Sequence, residues 1–241
     1  MDRKNYQEIF DNEENHWWYR SQRNKVDSLI KEYTAPPYKI LDAGCGTGFG
    51  MVYFRKYGDI YGIDRSEIAL EYCRKRGLTN VQLSGIRTIP FPEDEFNLIL
   101  CLDVLCYLED KEREMAVEEL YRVTSRGGSI ILTVPAFDIL SGPHDETMGV
   151  KNRFSTREVR SLLSSKGFEI MKMSYVYLTL FLPLLVRRKL GKLGITKASD
   201  LVRIPGYLDK LLYSLAEIDT QLFKYFDLPI GSSVLCLARK K

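Results

Sequence analysis

Four glycines alternate behind an acid in Asp42-Ala43-Gly44-Cys45-Gly46-Thr47-Gly48-Phe49-Gly50, directly after the apolar run Tyr38-Lys39-Ile40-Leu41. A glycine at every second place clears side chains from one edge of the loop. Backbone N–H and C=O groups can then approach a bound molecule closely, with a helix N-terminus behind them. A second acid, Asp64, ends the short apolar run Ile60-Tyr61-Gly62-Ile63. It lies about 20 residues past the first glycine, where doubly wound nucleotide folds hold a ribose, and its carboxylate can accept from both ribose hydroxyls. Ser66 reads as the cap of the helix that follows. A dinucleotide loop of the G-x-G-x-x-G type would place its third glycine at position 49, where Phe49 stands, which disfavours a nicotinamide oxidoreductase.

The pattern Asp42-x-Gly44-x-Gly46-x-Gly48 with Asp64 resembles the first motif of the class I S-adenosylmethionine-dependent methyltransferases. The resemblance implies S-adenosyl-L-methionine as donor and S-adenosyl-L-homocysteine as product. It covers residues 38–168 well, 5–33 loosely and 179–230 hardly at all. Carried over position by position, it puts Asp42, Gly44, Cys45, Gly46, Asp64 and Arg65 around the cofactor, with Cys101 and Leu102 at the end of the fourth strand. Where relatives usually place an Asp for the adenine amino group, register gives Gly85 and then Ile86, so backbone groups and apolar contact would hold the base. The run His16-Trp17-Trp18-Tyr19-Arg20 is similar to a His-Trp-aromatic-aromatic-Arg run near the start of related bacterial enzymes. There Tyr19 or Trp18 would lie against the sulfonium or adenine, and Arg20 or Arg23 on the methionine carboxylate. The plainer alternative packs this segment on the sheet edge through one Trp and leaves the other in a surface groove.

Methyl transfer from a sulfonium is an in-line displacement without a covalent enzyme intermediate, so alignment and desolvation matter most. An oxygen acceptor must lose a proton, whereas a neutral amine can attack directly. Asp103 and Tyr107 are the polar groups at the end of the fourth strand, where relatives often carry His or Glu in place of Cys106. His144 lies in the loop after strand five, the edge where open α/β sheets bind ligands, and an imidazole titrates near neutrality. Asp145 could orient His144 or bind a cationic acceptor. His16 is a fourth candidate base, and the sequence does not choose among the four. No Asn/Asp-Pro-Pro-Tyr run follows strand four, and no Pro-Cys nucleophile is present. The expected acceptor is therefore an O or N atom of a small molecule: a sugar, a lipid-linked saccharide or a secondary metabolite. A non-catalytic S-adenosylmethionine-binding protein and an RNA methyltransferase are the competing readings.

The elements that must position these residues follow from periodicity. Asn5 to Tyr33 reads as helix, ended by Ala35-Pro36-Pro37, and a further helical pattern begins at Met51. Helices are expected over Ser66–Arg76, over Glu109–Val123 before a Gly127-Gly128 turn, and from the Ser155–Glu158 capping box to Gly167. Strands are expected at 81–83, 97–102, 129–135, 168–177 and 232–238, with a loop over 136–153. The fold class is α/β: a doubly wound, seven-stranded, mostly parallel Rossmann-like sheet with strand seven antiparallel. One methyltransferase domain over 1–241 is expected, with a helical lid at 1–36, a core of 37–178 and 231–241, and a helical insertion at 179–230. Within that insertion an apolar run reaches Val186 and meets Arg187-Arg188-Lys189, and Gly206 to Phe226 is a second amphipathic helix that most simply packs on the first. A pocket cover or homodimer contact through 178–226 is preferred over peripheral membrane contact.

The chain's 241 residues are 45% hydrophobic and 28% charged, enough for a substantial core. A net charge of only +3, with acids and bases interleaved, argues against nucleic acid as partner. Five cysteines, at 45, 73, 101, 106 and 236, have no C-x-x-C or metal-ligand spacing, so no metal is expected and the thiols read as reduced. Without an apolar leader at its start, the chain is expected in the cytoplasm, with any membrane contact peripheral.

Overall fold

A computed structural model describes residues 2–36, 38–192 and 204–241, residue 192 by its backbone alone. Seven strands form one sheet: β1 (Tyr38–Ala43), β2 (Gly58–Asp64), β3 (Val81–Leu83), β4 (Phe96–Leu102), β5 (Thr124–Pro135), β6 (Phe168–Val176) and β7 (Ser233–Lys240). Their order is β3-β2-β1-β4-β5-β7-β6, and β7 alone runs antiparallel to its neighbours. The expected fold class holds. Side chains from Leu98 to Cys101 and from Ile130 to Val134 are almost wholly buried, as parallel strands covered on both faces require. Their alternation divides the core. Leu41, Ile99, Cys101, Ile130 and Leu132 face one cluster, and Ile40, Leu98, Leu100, Ile131 and Leu235 face the other.

The first cluster is closed by α5 (Asp110–Val123), through Ala116, Val117, Leu120 and Val123, and by α7 (Thr156–Ser164), through Val159 and Leu163. The second is closed by α2 (Trp17–Tyr33), through Val26, Leu29 and Ile30, and by α3 (Phe49–Phe54), through Met51 and Phe54. Helix α4 (Glu67–Lys75) begins at Ser66, whose hydroxyl accepts from the Ala69 N–H, and ends before Gly77 in left-handed conformation. Strand order reverses between β1 and β4, so the crevice for a ligand opens beyond their carboxyl ends.

Five local expectations are corrected. The helix expected over 5–33 is two, α1 (Arg3–Asn12) and α2. The Arg23 guanidinium donates to the carbonyls of Glu13 and Glu14 at 2.5 and 2.7 Å, which holds the turn between the two helices. Helix α3 starts at Phe49 rather than Met51, because Gly48 already supplies the left-handed cap. Strand β5 runs back to Thr124 through the expected Gly127-Gly128 turn, with a register shift opposite Phe96–Leu98. The loop over 136–153 contains a short helix α6 (Pro143–Met148), with proline at its first turn and Gly149 left-handed behind it.

The fifth correction concerns the segment before β7. Helix α8 (Phe181–Lys192) lies against Asp138–Leu140 and α6. Helix α9 (Gly206–Tyr225) lies along α2 rather than packing chiefly on α8. Asn24 Nδ2 donates to the Tyr213 hydroxyl at 2.7 Å, and Lys25 Nζ donates to the Ala216 carbonyl at 2.9 Å. The intervening part of the expected insertion, 193–203, lies outside the described residues. Among the described residues no helix is long and apolar enough to cross a membrane.

Candidate active site

The glycine loop joins the carboxyl end of β1 to α3, and its geometry explains its composition. Gly44, Gly46 and Gly48 all have positive φ, at +95°, +55° and +90°. A Cβ on Gly44 would meet Val104 Cγ2 at 2.4 Å, and one on Gly48 would meet Leu78 Cδ1 at 2.6 Å. One on Gly46 would meet nothing within 4 Å, so this glycine turns a bare backbone edge to open space. The Gly46 N–H donates to Asp64 Oδ2 at 3.0 Å, and the Ser66 N–H donates to Asp64 Oδ1 at 2.9 Å. Two backbone donors thus fix the Asp64 carboxylate at the end of β2, and each oxygen keeps a lone pair for a further donor.

The acids around this loop repel one another. Asp42 is buried at the end of β1, and burial, then the nearby Asp64 and Glu13 carboxylates, raise its pKa to about 7. Burial likewise raises Asp64 and Glu13. Glu13 enters from the α1–α2 turn. The Thr47 hydroxyl and Arg76 Nη2, the latter at 2.8 Å, donate to its Oε1, while Arg76 Nε donates to the Thr47 carbonyl at 3.1 Å. Tyr6 of α1 is buried beside Asp64, and burial raises its phenol. A bare glycine edge, an anchored carboxylate and surplus negative charge suit a ligand with vicinal hydroxyls and a positive centre. These residues fit the S-adenosylmethionine that the motif implies.

The second half of the site lies at the carboxyl ends of β4, β5 and β6. Asp103, Phe137 and Tyr177 follow those strands, and each is a non-glycine residue with φ near +60°. Such conformations cost about 1–3 kcal/mol each and collect at functional sites. Asp103 Oδ2 accepts from Gln22 Nε2 at 2.6 Å, and the same nitrogen lies 3.2 Å from Thr133 Oγ1. Burial raises the Asp103 pKa to about 6 against the hydrogen bonds from Thr133 and Gln22. Tyr107, in the turn Leu105–Tyr107, is half-buried near Cys106, Asp103, Tyr19 and Tyr6. Burial raises both Tyr19 and Tyr107, which keeps their phenols neutral.

Asp42, Gly44, Cys45, Gly46, Asp64 and Arg65 therefore surround one turn, and Leu102, Asp103 and Tyr107 stand with Tyr19 at the end of β4. Cys45 is buried, its thiol raised by hydrogen bonding with Cys73 and by burial; burial also raises Cys101 inside β4. Gly85 lies beside Arg65, and Ile86 is buried in the core with Ile63 and Leu105. Arg20 is engaged elsewhere: its guanidinium lies 3.9 Å over the Tyr213 ring and 3.7 Å from Asp209. Arg23 holds the α1–α2 turn. His16 caps α2, its Nδ1 accepting from the Trp18 N–H at 3.3 Å. Trp17 and Trp18 are both half-buried against the same sheet-side cluster. Asp145 is turned to arginines. It accepts from Arg153 at 2.9 and 3.0 Å and lies 3.9 Å from Arg188, a buried ion cluster under α6. His144 itself sits half-buried in the first turn of α6.

Sequence reasoning missed Gln22, Glu13, Thr47 and Arg76. Only the acidity of Glu13-Glu14 ahead of the aromatic run hinted at a site, since nothing local says that a helix turn will reach the glycine loop. Among the described residues no group of three or more His, Cys, Asp or Glu is placed to hold a metal ion, and all five thiols are free and buried.

Residues 41–132 match the family model for a methyltransferase domain. An uncharacterized protein of Methanocaldococcus jannaschii is 29% identical over 174 residues, covering 69% of this chain and 78% of the relative. A protein of Mycolicibacterium smegmatis named as a probable S-adenosylmethionine-dependent methyltransferase is 26% identical over 165 residues, or 66% of this chain and 61% of the relative. The solved structure of an S-adenosylmethionine-dependent methyltransferase from Thermotoga maritima superposes with a TM-score of 0.62 at 21% identity, covering 99% of this chain and 96% of that one. At that identity the superposition speaks to the fold alone.

Proposed function

We propose, for a chain that belongs to the class I S-adenosylmethionine-dependent methyltransferases, that it methylates an O or N atom of a small molecule held beside Asp103 at the carboxyl end of β4. S-adenosyl-L-methionine, when bound, supplies an electrophilic methyl group and leaves as S-adenosyl-L-homocysteine after in-line displacement. Asp64 holds the two ribose hydroxyls with its spare lone pairs, and the Gly44–Gly48 backbone accommodates the amino-acid tail. Residues 1–36 serve as a lid, with Tyr6, Glu13 and Tyr19 reaching over the loop and excluding water from it.

The observation that carries the acceptor side is the Asp103 carboxyl, held under α2 by Gln22 and Thr133 with its pKa raised to about 6. A carboxylate poised there is mostly ionised at neutral pH and more basic than an exposed one, as a base for a hydroxyl or ammonium proton should be. Tyr107 and Tyr19 orient the acceptor as neutral phenols, and His144 contacts it from α6. The interleaved charges, with no basic groove in the sequence, favour a small molecule over RNA.

The test uses calorimetric binding of S-adenosylhomocysteine together with transfer of labelled methyl to a panel of small hydroxy, carboxy and amino compounds. Wild type binds, Asp64→Ala loses affinity by about a hundredfold, and Asp103→Asn keeps binding but loses about a hundredfold or more in transfer. Wild type that fails to bind, or Asp103→Asn that transfers at the wild-type rate, overturns the assignment.

A further inference from the structure

The acids of α9 all turn to partners within the protein. Asp209 accepts from the Trp17 N–H at 2.8 Å and pairs with Arg20, Glu217 receives Asn24 Nδ2 at 3.1 Å, and Asp219 receives the Thr179 N–H at 3.3 Å and its hydroxyl at 3.1 Å. The opposite face carries Tyr207, Leu211, Ile218 and Tyr225, all exposed, with both tyrosines 78% accessible. Their spacing of four, seven and seven residues is one helical stripe, and exposed Phe226 follows it. The other exposed residues of α9 between Tyr207 and Tyr225 are Lys210, Ser214 and Gln221, so that stretch exposes no acid, and Asp227 beyond the helix pairs with Lys172 at 2.8 Å. Helix α8 repeats the pattern: Leu182 and Val186 are exposed one turn apart, Lys189 is exposed beside them, and its sequence has four Lys/Arg and no Asp/Glu.

We propose that the outward faces of α9 and α8 dock on an anionic lipid surface. Aliphatic side chains in the middle of a helix, aromatic rings with a wet hydroxyl at both ends and cations alone among the exposed charges are what the boundary between water and hydrocarbon selects. Anionic headgroups complement those lysines. A second copy of this chain would bring no acid on these faces to meet those lysines, which disfavours a homodimer through these helices. The two helices also back the acceptor side. Helix α9 lies on α2, which holds Asp103, and α8 covers 138–140 and α6. Docking there presents the site to an acceptor that resides in, or is anchored to, the membrane. The inference stands whichever atom is methylated.

Flotation of the full chain with vesicles tests it. Binding to phosphatidylcholine vesicles containing phosphatidylglycerol, little binding to phosphatidylcholine alone, and release by added salt are expected. The triple variant Tyr207→Ser, Ile218→Gln, Tyr225→Ser should lower partitioning about tenfold or more, with S-adenosylhomocysteine affinity unchanged, since none of the three touches the cofactor loop. Absence of vesicle binding, or equal binding to both vesicle types, overturns the proposal whether or not the variant folds. So does a sedimenting dimer that the triple variant converts to monomer.

Discussion

Asp42 shows how much the chemistry of the site depends on single buried groups. Its motif position was readable from the glycines behind it, but its proton was not, because that depends on Asp64 and Glu13 converging from other elements. Its pKa is raised from 3.8 to about 7, so between those values the folded chain keeps a proton that the unfolded chain has lost. The unfolded state then binds fewer protons, and stability falls as pH rises through that window. Asp42→Asn keeps the shape and removes the charge. Chemical denaturation should find it more stable than wild type by on the order of 2–4 kcal/mol at about pH 8, with the gap shrinking towards about pH 5. A gap constant across that range would mean that Asp42 ionises normally. Asp103 behaves in the same sense over a narrower window, ending at about 6.

At the scale of elements, the sheet was legible and the helical cap was not. Apolar runs ending in acids or glycine turns identify parallel strands because both faces are buried, and those runs appear where β1, β2 and β4 stand. The α1–α2 break was hidden because Arg23 makes it from ten residues away, and α9 was assigned to α8 although its polar residues match those of α2. The break has a purpose in the packing. Glu13 ties α1 to the glycine loop through Thr47 and Arg76, with both charged side chains nearly buried. Removing one partner of such a pair leaves the other charge uncompensated, at a cost of about 3–5 kcal/mol. Glu13→Ala should therefore release α1 before the rest unfolds. Limited proteolysis would cut within 12–16 in the variant and spare wild type, and bound S-adenosylhomocysteine should protect less in the variant. Equal cleavage of both proteins would refute the tie.

The whole molecule meets in the layer between α2, α9 and the sheet. Lys25 lies there, 1% exposed, donating to Ser21 Oγ at 2.6 Å, to the Ala216 carbonyl and to Thr220 Oγ1 at 2.9 Å, with its ammonium 4.4 Å over the Tyr177 ring. Burial lowers its pKa from 10.5 to about 8. Between those values the unfolded chain binds the extra proton, so wild-type stability should rise with pH from about 8 to 10.5, by about 2–3 kcal/mol. Lys25→Met should lack that rise in urea titrations across the same range; a rise of equal size in the variant would assign it to another group. Local sequence by itself determined the sheet, the cofactor loop and the second-strand acid, because strand periodicity, positive-φ glycines and a register of about twenty residues are short-range properties of one chain segment. Only tertiary structure decided that Gln22 holds Asp103, that Glu13 reaches Thr47, and which face of α9 remains uncovered. Each of these contacts joins segments whose meeting depends on how helices pack across the finished sheet, and no local pattern encodes that.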